Sequence, residues 1–436
     1  MTQQNFQPSI KSERINSIDI IRGVALLGIL LINIAGFGLF NAYSDPTNSG
    51  GATGWDLKVW WINNIFFEGT MRGLFSMLFG AGIVLFTNRS TDGVQSLSVT
   101  DAYFRRVLWL LLFGVIHAYL LLWYGEILFD YAIIGMIVYS FKNLNPKKLI
   151  ICAVFSSLIL TTLNIKDYVQ TQKAYNSYAS SIELKKNGGA LSTYNEEAIK
   201  EWESIVAEKK PTSEAFNQEK QALSQGYFSI VWYRSTLVQW MHTVFLYRNF
   251  WDVFSMMLLG IAFLKMGIFR AEKSNRKHLL MMFFGYSIGI TTKYWGTSYL
   301  MSNNFSVLSF DLTHTTYELG RIPTTIGHIG LIMLFIKSGV FPFLQRALAS
   351  VGQMAFTNYI LQTIICLFIF MGFGFNMFGK LQRHELYYIV LGIWIVQLIV
   401  SPIWLTYFRF GPLEWVWRSL TYWEKKPFTR RRNASR

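Results

Sequence analysis

Apolar runs long enough to cross a lipid bilayer recur along the whole chain. An α-helix needs roughly 20 apolar residues to span the hydrocarbon core. In lipid every backbone N–H and C=O must be bonded within the protein, so such runs form helices rather than open strands. The sequence therefore predicts an all-α polytopic membrane bundle of about ten transmembrane helices. The predicted spans lie near residues 18–40, 72–88, 107–124, 126–141, 148–165, 250–268, 278–297, 322–338, 354–375 and 386–407.

The composition agrees with a membrane protein and excludes an ordinary soluble one. Hydrophobic residues make up 52% of the chain and charged residues only 15%, against about 25% charged residues in a typical soluble protein. The net charge of +15 comes from Lys and Arg at the ends of apolar runs, which indicates topology rather than nucleic-acid binding. Cys152 and Cys366 lie in apolar runs, so we expect neither a disulfide framework nor a metal site.

Basic residues gather in alternate loops and predict the orientation. The loop 41–57 and the link around Tyr124 and Gly125 contain no Lys or Arg. By the positive-inside rule, both termini are predicted to be cytoplasmic. The first apolar run is too long for a signal-peptide core, so we expect it to be retained as a span. The basic residues predicted on the cytoplasmic side include Arg89, Arg105, Arg106, Lys142, Lys147, Lys148, Arg270, Lys273, Arg276, Lys277 and Arg346.

One hydrophilic insertion divides the chain into three predicted parts. These are a five-span bundle over 1–165, the insertion over 166–227, and a carboxy-terminal half over 228–436 with five spans, an interfacial helix near 228–248 and a basic tail. The insertion contains 8 Lys and 9 acidic residues, and its net charge of −1 predicts that it faces outward. Alternating charges over 196–210 predict an exposed helix in a helical hairpin. A solvated cap is favoured over a substrate gate.

Three polar residues share one face of the first span. At 100° per residue, Asp19, Arg22 and Asn33 lie within about 60° of one another around the helix. Asp19 and Arg22 are three residues apart and are expected to pair, which makes either charge easier to place near lipid. Two interpretations stay open. The pair anchors the cytoplasmic end of the helix, or Arg22 holds an anionic group such as a phosphate.

The second span opens with the sequence FEGTMRGLFSMLFGAG. Glu68 and Arg72 stand at i, i+4 spacing, which predicts an ion pair at the outer end of the helix, with ligand contact as the second interpretation. Small residues in the same stretch permit close contact between helices or an irregular entry to the span. These residues are Gly69, Gly73, Gly80 and Gly82.

Residues 116–132, IHAYLLLWYGEILFDYA, place three ionisable side chains in an apolar stretch. We expect a tight helical hairpin with WYGE as its external turn and Gly125 as its flexible position. His117 would then lie inside the third span, about 13 Å along the helix from Glu126 at the outer edge. Asp130 shares a helix face with Glu126, and like charges at that spacing disfavour double ionisation. Such residues are functional candidates, the alternative for His117 being a bond to a neighbouring helix.

The carboxy-terminal half adds polar residues within predicted spans. His328 is a second intramembrane histidine, and Asn358 and Gln362 lie one turn apart in TNYILQ. Hydrogen bonds between helices are the favoured explanation for these residues. The predicted catalytic set is His117, Glu126 and Asp130. The predicted substrate-binding set is Asp19, Arg22, Asn33, Arg72, His328 and Asn358.

Four stretches of the chain carry a family resemblance: RINSIDIIRGVALLGILLIN, RRVLWLLLFGVIHAYLLLWYGEILFDYAIIG, FRFGPLEWVWRSLTYW and GQMAFTNYILQ. In these stretches the chain resembles the YeiB-like family of bacterial inner-membrane proteins, a domain of unknown function. It implies a multi-pass protein of the bacterial inner (plasma) membrane. The family's middle motif usually reads GDIL where this chain has GEIL, which keeps the acidic group.

The amino-terminal D-x-x-R-G pattern, residues 19–23, is similar to that of the transmembrane acyltransferase superfamily. This superfamily includes sugar O-acetyltransferases and the heparan glucosaminide N-acetyltransferase, so the resemblance implies acyl transfer to a sugar, lipid or cell-envelope acceptor. In the O-acetyltransferase branch a histidine occupies the position of Asn33. In the glucosaminide branch the catalytic histidine follows the first span, where residues 41–70 of this chain contain none.

Three functions stay open from the sequence. In a membrane acyltransferase, His117 would be the general base, oriented by Glu126 or Asp130, and Arg22 with inner basic residues would hold the phosphates of a donor such as acyl-CoA. In a transporter or flippase, a proton or cation path would be formed by His117, Glu126, Asp130 and His328. The third function is a non-catalytic lipid-binding protein. We expect no permanently bound cofactor, membrane lipids and an envelope acceptor as partners, no nucleic acid, and leave oligomerisation open.

Overall fold

A computed structural model describes residues 16–43, 45–88, 96–210 and 212–430. Within these residues the chain is helical, and its β-structure is one isolated bridge between Phe408 and Thr429. The predicted all-α class is confirmed. The helices are α1 Asn16–Gly38, α2 Gly54–Ile62, α3 Thr70–Thr87, α4 Ser96–Tyr119, α5 Leu128–Val138, α6 Pro146–Lys186, α7 Thr193–Lys209, α8 Ser213–Leu223, α9 Tyr227–Trp240, α10 Leu246–Lys265, α11 Asn275–Ser302, α12 Val307–Thr315, α13 Tyr317–Ser338, α14 Pro342–Gln353, α15 Ala355–Phe370, α16 Leu386–Tyr407 and α17 Pro412–Tyr422.

Six helical segments of the described chain are long and apolar enough to cross a membrane. A seventh is added if α14 and α15, which are bent by 82° at their junction, form one broken span. The predicted spans in α4, α5 and α11 are helical but fall outside this set. A membrane protein with several transmembrane helices is confirmed, whereas the predicted count of about ten spans is not. The six segments are Asn16–Gly38, Gly54–Thr87, Pro146–Lys186, Tyr227–Lys265, Tyr317–Ser338 and Leu386–Tyr407.

Glycines set the close contact between α3 and α10. A Cβ added at Gly80 would lie 2.1 Å from the carbonyl oxygen of Met257, and one added at Gly260 would lie 1.8 Å from the carbonyl oxygen of Met77. Backbones approach this closely only where no side chain intervenes. Gly82, two residues further along α3, faces open space. The expected close helix contact therefore exists at Gly80 and not at Gly82.

Glycines also allow close packing of α1 against α14. A Cβ at Gly23 would lie 2.1 Å from the carbonyl oxygen of Leu348, and one at Gly352 would lie 1.9 Å from the carbonyl oxygen of Asp19. Most residues of α1 are buried, and the helix also contacts α3, α15 and α16. α1 is therefore a central element, and its two ends help to build two separate polar regions.

The insertion forms the predicted helical hairpin. α6 continues beyond its predicted end to Lys186, and α7 packs back against it. Ser192 and Asn195 form a capping box at the start of α7, which satisfies backbone donors that the helix itself leaves free. Trp202 of α7 packs edge-on against Tyr175 and stacks on Tyr178 of α6, with ring centroids 5.1 and 5.9 Å apart. The predicted exposed helix in a helical hairpin is confirmed.

The segment 228–248 differs from its prediction. Instead of forming a separate interfacial helix, α9 continues through a π-helical turn, Met241–Phe245, into α10 as one stretch of 39 residues. No proline interrupts this stretch, and the π turn absorbs the change of register without ending the helix. Phe228 and Trp232 are 84% and 82% exposed. The exposed aromatic residues that suggested an interfacial helix therefore lie on the first part of this continuous helical stretch.

Candidate functional site

His117 lies near the end of α4 rather than in the middle of a span. α4 ends at Tyr119, and residues 120–127 form an irregular link that folds back on the helix, with Leu122 in the left-handed region at φ 55°. The tight hairpin turn and the 13 Å separation expected from the sequence are therefore wrong. The link returns Glu126 to His117, and Oε1 of the glutamate lies 3.6 Å from Nδ1 of the imidazole.

The imidazole of His117 is completely buried. Its Nε2 lies 2.8 Å from the hydroxyl of Thr363 on α15, and its ring packs edge-on against Tyr359 with centroids 5.0 Å apart. These contacts tie α4 to α15, which is the structural alternative that the sequence had left open. His117 is not among the residues that line the cavity described below.

Glu126 is buried, not interfacial as its position in WYGE suggested. Its residue is 4% exposed, and its carboxylate accepts hydrogen bonds from the backbone N–H groups of Leu128 and Phe129, the latter at 2.8 Å. A carboxylate is stabilised at a helix N-terminus because the first N–H groups have no partner within the helix. Glu126 therefore caps α5 and faces His117 at the same time.

Asp130 begins a chain of buried polar contacts. Its carboxylate accepts a hydrogen bond from the side-chain amide of Asn249 on α10. The amide oxygen of Asn249 accepts from Arg72 on α3 at 3.0 Å, and the same guanidinium pairs with Asp252 on α10. The three helices α3, α5 and α10 are thus joined by side chains that were expected to act separately.

Arg72 does not form the predicted ion pair with Glu68. Gly69 lies between them in the left-handed region at φ 68° and precedes the first residue of α3. Because the helix is interrupted at Gly69, residues 68 and 72 do not occupy successive turns of one helix, and the i, i+4 argument fails. Arg72 pairs with Asp252 instead.

The polar chain continues through a second buried arginine. Arg321 of α13 lies 2.8 Å from Asp252 and 2.8 Å from Glu318, and its own side chain has no exposed surface. Removing one member of a buried ion pair leaves its partner uncompensated in a medium of low polarity. We call this set the buried charge network, and it consists of Asp130, Asn249, Arg72, Asp252, Arg321 and Glu318.

A cavity of about 200 Å³ lies next to this network, at the carboxy-terminal end of α1. Its walls come from α1, α2 with the π-helical turn that follows, α11, α12, α13 and the start of α16. Asn33 is half-buried on α1 between Ile32 and Ala35, which both line the cavity. Aromatic and amide side chains of the wall include Tyr43, Trp60, Asn63, Asn64 and Tyr387.

Glu68 connects the cavity to the buried charge network. Its side chain is 37% exposed, and Nζ of Lys293 lies 3.9 Å from its carboxylate while donating to the backbone oxygens of Glu68 and Asn64 at 2.6 and 3.1 Å. The hydroxyl of Tyr317 donates to the Glu68 carboxylate at 3.4 Å and accepts from Arg72 at 3.5 Å. Lys293 and Tyr317 therefore hold Glu68 in place while its carboxylate stays open to the cavity.

His314 is the imidazole of the cavity wall. It lies on α12, which α6 and α7 hold in place. Lys209 of α7 binds the carboxylate of Asp311 at 2.5 and 2.7 Å, and Asn164 of α6 donates to the carbonyl of His314 at 3.0 Å. The imidazole is exposed to the cavity, yet the protein packed around it lowers its pKa by desolvation, an effect that the nearby Glu68 carboxylate opposes. A lowered pKa favours the neutral imidazole, the form that accepts a proton.

Asp19 and Arg22 occupy the opposite end of α1. They pair as predicted, at 3.1 Å. The charges of Arg22 and Arg418 both act on Arg106, whose guanidinium lies 3.6 Å over the ring of Trp417. We call Arg22, Arg106 and Arg418 the arginine cluster. Along α1, at 1.5 Å per residue, Arg22 lies about 14–20 Å from Leu31 and Ala35, which line the cavity.

His328 and Asn358 make hydrogen bonds between helices. The two ring nitrogens of His328 lie 2.8 Å from the hydroxyl of Tyr286 and 2.8 Å from the carbonyl oxygen of Phe66. The amide of Asn358 donates to the hydroxyl of Ser401 on α16 at 3.0 Å. The favoured explanation from the sequence is confirmed for both residues.

Several residues of the cavity and the network were missed from the sequence. Asp252 and Lys293 lie inside predicted spans, where any ionisable residue is a candidate, so a signal was present. His314 and Arg383 stand between predicted spans, and no spacing marks them. Within the described part of the chain, no group of three or more His, Cys, Asp and Glu side chains is placed to hold a metal ion.

Comparisons with known proteins give relatives without a described activity. A family described as protein of unknown function (DUF418) matches residues 263–424. The chain is 29% identical to the uncharacterized protein YxaH of Bacillus subtilis (strain 168), covering 98% of this chain and 99% of that one. It is 30% identical to the uncharacterized protein YeiB of Escherichia coli (strain K12), covering 94% and 96% of the two chains. No solved structure matches.

Proposed function

The chain belongs to the YeiB-like family of membrane proteins of unknown function, and we propose that it is a membrane acyltransferase. It moves an acyl group to a sugar, lipid or other cell-envelope acceptor at the bacterial inner membrane. The observation that carries this proposal is a cavity whose wall presents both an imidazole and a carboxylate, His314 and Glu68. A pair of titratable groups at one reacting centre is what base-assisted acyl transfer requires.

We assign the general base to His314 rather than to His117. His117 has no exposed surface, and its Nε2 is bonded to Thr363. His314 faces the cavity in a state that favours the neutral imidazole. A base must reach the proton that it removes, directly or through one water. His117 keeps a positioning role, because it and Glu126 join α4, α5 and α15.

The reaction follows from this assignment. His314 accepts the proton of the acceptor hydroxyl or amine, whose oxygen or nitrogen attacks the carbonyl carbon of an acyl thioester. The new C–O or C–N bond forms, the C–S bond breaks, and the leaving thiolate takes up the proton from the His314 imidazolium, which restores the neutral base. The Glu68 carboxylate stabilises the imidazolium formed during the attack, since opposite charges attract strongly where water is limited. Lys293 in turn keeps Glu68 in place.

The arginine cluster supports a donor that carries phosphates. Arginine binds phosphate through a planar fork of donors, and the cluster lies at the predicted cytoplasmic end of α1. The donor must then present its acyl group about 14–20 Å further along the helix. Coenzyme A thioesters are group carriers in which a long flexible arm separates the phosphates from the thioester, so acyl-CoA fits the two regions.

The test uses membrane vesicles that contain the full chain and radiolabelled acetyl-CoA. We expect incorporation of label into the membrane and wall fractions, and a loss of roughly 10²- to 10⁴-fold for His314→Gln and Glu68→Gln, the range for removal of an acid–base group. His117→Gln is the matched control, with a change of only a few fold. Normal transfer by His314→Gln together with loss in a folded His117→Gln would reassign the base to His117.

The buried charge network favours a second candidate, a proton- or cation-coupled transporter. Ionisable residues inside the bundle that are linked from helix to helix are typical of ion pathways. Here they run from Glu318 through Arg321, Asp252 and Arg72 to Asp130 by way of one amide. Proton uptake into sealed vesicles that requires Asp252 and yields no acylated product would select this candidate over the transferase.

A further inference from the structure

The cavity wall carries more positive than negative charge. Arg383 and Lys293 both line it. Arg383 is 96% buried as a whole residue, and the side chain of Lys293 is 92% buried. Glu68 is the acidic residue of the wall among the described residues. It lies 3.9 Å from Lys293, so at most one of the two cations is compensated directly.

Arg383 lacks the acceptors that a buried guanidinium needs. One of its terminal nitrogens donates to the carbonyl of Ser49 at 3.1 Å, but its buried Nε has no hydrogen-bond acceptor among the described residues. Asp56, whose charge acts on Arg383, uses its Oδ1 to bind the backbone N–H and the Nδ1 of His384, at 2.8 Å each. Burial lowers the pKa of Arg383, as expected for a cation that its surroundings stabilise incompletely.

A third cation stands behind the wall. Arg234 is 1% exposed, none of its guanidinium nitrogens has a hydrogen-bond acceptor among the described residues, and Glu219 is 3.9 Å away. Its guanidinium lies 4.9 Å over the ring of Tyr124, and its charge reaches Tyr43 in the cavity wall. The positive field in the cavity therefore comes from two sides.

We infer that the cavity binds an anionic group of the acceptor, a phosphate or a carboxylate, through Arg383 and Lys293. That this anion belongs to the acceptor rests on the proposed function. The anion site itself rests on the charges of Arg383 and Lys293 and on the Nε of Arg383, which has no acceptor among the described residues. A bound oxyanion at the cationic wall offsets the positive charge that the surrounding protein leaves incompletely compensated. The neighbouring aromatic and amide side chains then contact the rest of the acceptor, as in polar ligand sites generally.

Isothermal titration calorimetry of the full chain in nanodiscs tests this inference without measuring catalysis. The probes are sn-glycerol 3-phosphate and glucuronate, each compared with its neutral counterpart, glycerol or glucose. We expect each anionic probe that binds to do so at least about tenfold more tightly than its counterpart, with the preference weakening in high salt. The tighter anionic probe identifies the group as phosphate or carboxylate.

Variants connect the preference to Arg383. Arg383→Gln should lower the anion preference about tenfold, Arg383→Lys should retain part of it, and Arg276→Gln, at the other end of α11, should retain all of it. Equal binding of charged and neutral probes, or an unchanged preference in folded Arg383→Gln, would overturn the inference. Anion binding without acyl transfer would contradict the proposed function and support the anion site. Acyl transfer without a preference for the anionic probes would support the proposed function and contradict the anion site.

Discussion

Arg321 illustrates how single residues are held in this membrane bundle. Its guanidinium has no exposed surface and lies between the carboxylates of Asp252 and Glu318. Taking charges out of water is unfavourable, and mutual attraction offsets this only when every partner is present. The stability of the region therefore depends on all members of the buried charge network together.

Replacing Arg321 by Met keeps most of the side-chain volume and removes the charge. We expect Arg321→Met to destabilise the protein by about 3–5 kcal/mol, because buried Glu318 loses its cationic partner and Asp252 keeps only Arg72. The measurement is the free energy of unfolding in mixed micelles by chemical denaturation. Arg270→Met is the matched control: Arg270 is 46% exposed and 3.7 Å from an exposed Glu272, so its loss should change stability by less than about 1 kcal/mol. Equal effects would contradict the account.

Sequence reasoning found some of these residues and misplaced others. Arg72, Asp130 and the Asp19–Arg22 pair were identified because charges inside apolar runs stand out. The partner of Arg72 was wrong because Gly69 adopts a left-handed conformation that spacing does not reveal. Glu126 was placed at the surface because nothing in WYGE indicates that the link folds back onto α4.

At the scale of elements, α15 and α17 are joined by one carboxylate. Glu414 of α17 accepts hydrogen bonds from the backbone N–H groups of Phe356 and Thr357 at 2.7 and 3.0 Å and from the hydroxyl of Thr357 at 2.6 Å. It caps the start of α15, where the first N–H groups have no partner within the helix. The two stretches that carry the family resemblance in this half, GQMAFTNYILQ and FRFGPLEW, are thereby in contact.

The pKa of Glu414 gives this contact a pH dependence. Burial raises its pKa above the ordinary carboxyl value, with the hydrogen bonds to Thr357 and Phe356 opposing. The folded state then holds the proton to a higher pH than the unfolded state. Stability should therefore fall as pH rises from about 4.5 through the raised pKa.

The measurement is the difference between the thermal midpoints of the wild type and of Glu414→Gln, taken from about pH 4 to pH 8. This difference isolates the effect of Glu414 ionisation. The difference should decrease as pH rises, because Gln cannot ionise. A difference that stays constant or increases over this range would contradict the assignment.

The contact between α3 and α10 is predicted to be intolerant of even one methyl group. Gly260→Ala would place a Cβ within 1.8 Å of the carbonyl oxygen of Met77, and the resulting overpacking should lower stability by at least about 1–3 kcal/mol. Gly82→Ala is the control, since Gly82 faces open space. The thermal midpoints of both variants in nanodiscs provide the comparison, and similar midpoints would argue against a glycine-dependent contact.

At the scale of the whole molecule, the two polar regions lie at opposite ends of α1. The arginine cluster lies at the end predicted to be cytoplasmic, and the cavity with the insertion lies at the other. The apolar periodicity of the sequence predicts the helices well because lipid leaves few alternatives. It cannot predict which distant loops meet at the cavity, so His314, Lys293 and Arg383 were not expected together.

Cysteine labelling tests this orientation. In a background with Cys152→Ser and Cys366→Ala, Glu201→Cys on α7 should react with a membrane-impermeant maleimide in intact spheroplasts, because the insertion is predicted to face outward. Arg276→Cys at the start of α11 should react only after lysis. The reversed pattern would place the cavity on the cytoplasmic side and contradict the topology.

The most direct test of the central claim is a reversible block of the cavity during acyl transfer. Thr313 lines the cavity, so Thr313→Cys in the same background can be modified with a methanethiosulfonate reagent and restored with dithiothreitol. We predict that modification lowers transfer of label from acetyl-CoA at least about tenfold, since displaced reactants lose their alignment, and that reduction restores it. Unchanged transfer by fully modified protein would show that the acyl group is not transferred in this cavity.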